Sequence, residues 1–130
     1  MSERAPRIIA ILGALLFLGF GAWAFLDAKG FYEGVAVWPP FYRHFIHDIG
    51  AFQIGLGLIM VLALTSGDTL LVALAAVGAG QAVHAAAHWM DRDLGGKASD
   101  PWAMSVLAAL LLAGAVARMK SPRRTSFRRL

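Results

Sequence analysis

The stretch IIAILGALLFLGFGAWAFL, residues 8–26, carries no charged side chain over nineteen positions. At about 1.5 Å of rise per residue, roughly twenty apolar residues cross the ~30 Å hydrocarbon core of a bilayer. A helix in a water-soluble bundle keeps a polar stripe at helical spacing, and this segment has none. Three further blocks share its length. Residues 44–64 hold a single acid, Asp48, near their start. Residues 70–90 hold no formal charge other than histidine, and residues 102–119 hold only Arg118, at their end. The pattern predicts an all-α fold: a four-transmembrane-helix bundle in one membrane domain, 1–130, with a basic tail at 120–130.

Composition points the same way. The chain is 58% hydrophobic and 15% charged, more apolar than a soluble domain of 130 residues can cover with polar surface. It has no cysteine, which excludes disulfides and thiolate sites. Eight of the twelve Lys and Arg residues flank the outermost spans: Arg4 and Arg7 before the first, and Arg118, Lys120, Arg123, Arg124, Arg128 and Arg129 at the end of the last. An even number of spans puts both termini on one side. The positive-inside rule makes that side cytoplasmic. Basic residues directly after a span serve orientation and anionic headgroups, so no nucleic-acid partner is expected. Ala- and Arg-rich usage points to a bacterium and its inner membrane. Ala22-Trp23-Ala24 after a basic start and an apolar run resembles a signal-peptide cleavage site. The run is span length and continues through Phe25 and Leu26, which favours a retained helix.

The short turn Ser66-Gly67-Asp68-Thr69 makes spans two and three an antiparallel hairpin. Small residues on both, among them Gly50, Gly55, Gly57, Ala73, Gly78 and Gly80, are expected to let the two approach closely, because close packing replaces the hydrophobic drive that lipid does not supply. The first outer loop, DAKGFYEGVAVWPPFYR at 27–43, is rich in rings that favour the headgroup layer. It reads as an interface belt, with a lid over a lipid-facing cleft as the sharper alternative. Asp27 and Glu33 read as solvated loop acids.

The polar residues are concentrated in two places: HFIHDIGAFQIGLGL at 44–58 and GAGQAVHAAAHWMDRD at 78–93. At 100° per residue Gln81, His84, His88 and Asp91 share one stripe. His44 and Asp48 share another, with His47 on its flank and Gln53 pointing roughly opposite. In an antiparallel hairpin all four histidines fall at one depth, in the outer leaflet. Ionisable groups in hydrocarbon are costly and face one another or a wet cavity. The candidate ligand-binding set is therefore His44, His47, Asp48, Gln81, His84 and His88, gathered between spans two and three.

Several chemistries fit such a set. It could be a ligand-free His–Asp network that fixes the hairpin's register. It could bind a small amphipathic ligand, a lipid or quinone headgroup, or move protons near neutral pH. His84 and His88 with His44 and Asp48 could ligate zinc or copper, or facing histidines could grip haem axially. No resident cofactor is the simplest expectation, and the chain reads as non-catalytic or accessory, with a metal- or haem-dependent oxidoreductase or a purely structural subunit as the alternatives. Membership of a larger membrane complex or a homo-oligomer is compatible with each.

At the same two segments the chain resembles small bacterial four-helix membrane proteins of the broad DoxX-like group. The resemblance covers most of the span pattern through short, degenerate motifs. It implies the fold and allows the histidines and Asp48 to be a site; some members are small subunits of respiratory or quinone-dependent complexes. A more distant similarity is to the four-helix sterol-isomerase and lipid-binding group, whose paired intramembrane glutamates this chain lacks.

Overall fold

A computed structural model describes residues 4–121. These form five helices: α1 (Arg4–Leu26), α2 (Ala28–Gly34), α3 (Arg43–Ala63), α4 (Gly67–Met90) and α5 (Asp100–Met119). The described residues contain no strand. Four of the helices are long and apolar enough to cross a membrane. Their outward faces are apolar too: Leu12, Leu15, Phe52, Val72, Val83 and Val106 are all exposed. A soluble surface would strand such a belt in water, whereas lipid solvates it. The basic residues beyond Ser121, on which part of the expected tail rests, lie outside the described residues.

The spans fall within a few residues of their expected bounds, because charge and proline punctuate them. Pro101 occupies the first turn of α5, where its missing N–H costs nothing. Asp100 Oδ2 accepts from the Lys97 backbone N–H at 2.7 Å and closes the turn before it. The link between α3 and α4 is shorter than the expected four-residue turn, since α4 already starts at Gly67. Thr69 Oγ1 donates to the Ser66 carbonyl at 2.8 Å, tying the first turn of α4 to its own start.

The short helix α2 was not expected inside the first loop. Asp27, read as a solvated loop acid, is its N-cap: Oδ1 accepts from Gly30 N–H at 3.0 Å. Phe31 is buried and meets the rings of Phe20 and Trp23 edge-on, at 6.2 and 5.6 Å between centroids. The capping acid and the aromatic anchor together lay the loop back onto α1.

The helices pair differently from the sequence expectation. The tight partners are α1 with α3 and α4 with α5, while α3 and α4 touch far less extensively. The glycines show why. A Cβ on Gly21 would stand 2.8 Å from Ile54 N and 2.9 Å from Gly50 O, and one on Gly57 would stand 2.6 Å from Leu18 Cγ. The small face of α3 therefore belongs to α1. A Cβ on Gly78 would sit 3.0 Å from Leu112, so the small face of α4 belongs to α5. Gly55 and Gly80, expected to face each other's helix, have nothing within 4 Å. Of the consecutive spans, the two joined by the shortest loop are thus the loosely packed pair.

Core packing is uneven along the bundle. At the end that holds the termini, Ala10, Ala14, Phe17, Met60, Leu74 and Leu111 close the centre. At the loop end the buried cluster of Ala24, Ala28, Phe31 and Ile46 serves α1, α2 and α3 alone. Between the two helix pairs the loop half of the bundle is hollow.

Candidate functional site: a roofed cavity with a polar wall

The hollow is a cavity of about 780 Å³. Phe17, Phe20 and Leu107 form its floor and side. Phe31, Tyr32, Val35–Val37, Trp38 and the Pro39–Pro40 pair cover it from the loop end. Residues of the aromatic loop thus line this space together with those of the helices. The second loop fastens the first. Lys97 Nζ donates to the Gly34 carbonyl at the end of α2. Gly95 lies against the Val37 carbonyl and the Trp38 ring, in a left-handed conformation (φ +140°) that a side chain rarely adopts.

The lining is mostly apolar, with Gln53 from α3, Gln81, His84 and His88 from α4, Asp100 at the start of α5, and Tyr32 and Tyr42 as its polar members. Gln81, His84 and His88 form a hydrogen-bonded string along α4. His84 Nδ1 lies 3.4 Å from Gln81 Oε1, and His84 Nε2 lies 3.1 Å from His88 Nε2. With neutral rings the order of donors follows. The amide oxygen can only accept, so Nδ1 of His84 carries the proton, and Nε2 of His84 accepts from His88. Gln81 is buried, and its NH₂ group takes no part in the string.

Gln53 completes the wall. Its Oε1 is buried without any hydrogen-bond partner, alone in this among the described side chains that are not exposed. An orphan acceptor of this kind costs about 1–3 kcal/mol. Gln53 stands ten residues into α3 and Gln81 nine residues before the end of α4. At 1.5 Å per residue both lie about 15 Å from the loop end, near mid-membrane.

The remaining sequence candidates are elsewhere. His44 pairs with Asp48 one turn on, at 3.6 Å, and both side chains are exposed on the outside of α3. His47 stacks on Phe25 of α1, with centroids 5.0 Å apart. None of the three lines the cavity. The single His–Asp cluster expected between the spans is therefore two groups on different faces. The cause is rotational: Ile46 and Gly50 are the buried positions of this part of α3, and Ile49 and Gln53 line the cavity, which leaves His44 and Asp48 on the outside. At the loop end, where headgroups and water are within reach, an exposed His–Asp pair needs no interior partner.

This placement bears on the metal and haem readings. Among the described residues no three His, Asp or Glu side chains come together in a metal-holding arrangement. The set of His84, His88, His44 and Asp48 is not assembled. Axial haem ligation from facing helices would need an α3 histidine in the cavity, and neither His44 nor His47 is there. The register-fixing network is not observed either, since the string Gln81–His84–His88 runs along one helix and does not cross to α3.

In the sequence Gln53 points away from His44 and stands apart from the candidate set. The signal was present in the spacing Phe45, Ile49, Gln53, Leu56, one helical stripe with an amide in its middle.

Fold and cavity define a multi-pass helical membrane protein with a chamber between its two helix pairs. No protein-family model, curated protein or solved structure matches the chain.

Proposed function

We propose that this chain is an accessory or carrier membrane protein that holds one lipid-like amphiphile, such as a quinone or quinol, in the roofed cavity. The observation that carries the reading is the shape and chemistry of that space. About 780 Å³ of mostly apolar volume is sized for a drug-like molecule, and a few convergent polar groups on one side would orient it. With the basic termini cytoplasmic, the roof faces the outer leaflet. Kinship with the DoxX-like group belongs to the same proposal.

The test is mass spectrometry of small molecules carried by the protein when it is excised with its own lipid in native nanodiscs. The expected result is one amphiphile in about equimolar amount, depleted in Gln81→Leu. Recovery of only the bulk phospholipids, in the proportions of the surrounding membrane, overturns the reading.

A further inference from the structure

Two of the four metal ligands expected from the sequence stand together as a pair. His84 and His88 are four apart on α4, and their Nε2 atoms lie 3.1 Å from each other. Two nitrogens at that separation, each about 2.0–2.1 Å from a shared ion, subtend roughly 100° at it. That is the bite of a two-histidine chelate, between the right angle of a tetragonal copper site and the tetrahedral angle of zinc. Both rings line the cavity and keep accessible surface, so an ion can reach their nitrogens. They stand six and two residues before Met90, the last residue of α4. At 1.5 Å per residue that is about 9 and 3 Å from the loop end, where water and headgroups admit a cation.

We infer that His84 and His88 form a bidentate site for one divalent transition-metal ion of the zinc or copper class, held by the two Nε2 atoms. The inference does not rest on the amphiphile reading. The charge of the lining favours a cation: among the described residues it includes no lysine or arginine, and its one formal charge is the acid Asp100. Asp100 offsets part of the ion's charge without ligating it, its Oδ2 being held by the Lys97 backbone N–H at 2.7 Å. Without metal, one proton lies between the two Nε2 atoms. The ion takes its place, and that proton moves to Nδ1 of its own ring. Both rings then stay neutral, each donates a nitrogen lone pair, and no proton is released. On the far side of the His84 ring, Gln81 Oε1 lies 3.4 Å from Nδ1 and braces it as outer partners brace metal-bound imidazoles. With two protein ligands, the remaining coordination positions are open to water or to an oxygen of a molecule in the cavity.

The experiment uses the full chain in detergent micelles, purified without a histidine tag and stripped with a chelator. His44→Ala and His47→Ala are combined as the background, so that any imidazole signal belongs to α4; the chain has four histidines. The probes are Zn(II), followed by calorimetry, and Cu(II), followed by electron paramagnetic resonance. The expected result is one ion per chain and a Cu(II) spectrum with nitrogen couplings from two imidazoles. His84→Ala and His88→Ala, each added to the background, are expected to weaken Zn(II) binding at least tenfold and to leave at most one imidazole on Cu(II). Should either variant fail to fold, nitrogen NMR of the background chain decides: saturating Zn(II) is expected to shift both Nε2 resonances and to leave the proton of each ring on Nδ1. Absence of saturable Zn(II) binding, fewer than two imidazoles on Cu(II) in the background chain, or an Nε2 that stays protonated with Zn(II) present overturns the inference. So does undiminished binding in both alanine variants. No amphiphile is added in any of these measurements, so their failure leaves the cavity reading standing.

Discussion

Gln53→Met tests the buried amide at a single atom. Methionine keeps the length and flexibility of glutamine and removes the amide. Gln53 Oε1 is buried and unpaired. A lost desolvation penalty of this kind is worth about 1–3 kcal/mol, so the variant is expected to be more stable than wild type by about 1–2 kcal/mol. Unfolding is followed by helical circular dichroism as the SDS fraction of mixed micelles is raised. A variant less stable than wild type by about 1 kcal/mol or more refutes the assignment of Gln53 Oε1 as a buried acceptor left unsatisfied.

Glycines grade the helix contacts. Gly21→Ala and Gly57→Ala place a methyl within 3 Å of the facing helix and are expected to cost about 1–3 kcal/mol in the same unfolding assay. Gly55→Ala and Gly80→Ala meet open space and should be neutral or stabilising by up to about 1 kcal/mol. Lys97→Met removes the bond to the Gly34 carbonyl; the first loop loosens and hydrogen exchange in α2 speeds up, with little change in overall stability. Because the chain has no cysteine, single cysteines can be placed at will. Ser99→Cys should react with a membrane-impermeant maleimide on intact cells, and Ser121→Cys only after lysis. The reverse pattern inverts the topology.

The spans were legible in the sequence because charge and proline mark their ends and a bilayer sets their length. The pairing of the spans was not. Loop length says which helices are consecutive, but contact is decided by where glycine lets backbones meet, and Gly21, Gly50 and Gly57 join α1 to α3 across a loop that contains a helix of its own. That difference turned the expected hairpin interface into an open seam. The α4 half of the site was readable, since Gln81, His84 and His88 follow helical spacing and all line the cavity. On α3 charge points to His44, His47 and Asp48. An ionisable group near the end of a span has water and headgroups within reach, so it need not turn inward. An uncharged amide at mid-span has no such outlet, and Gln53 was the stronger marker of the interior.

The most direct measurement is an electron-density map of the full chain in lipid nanodiscs. The cavity predicts one density of an amphiphile within it, between Trp38 and the side chains of Gln81, His84 and His88. A map with the chamber collapsed around Gln81 and His84, or empty of any such density, would contradict it.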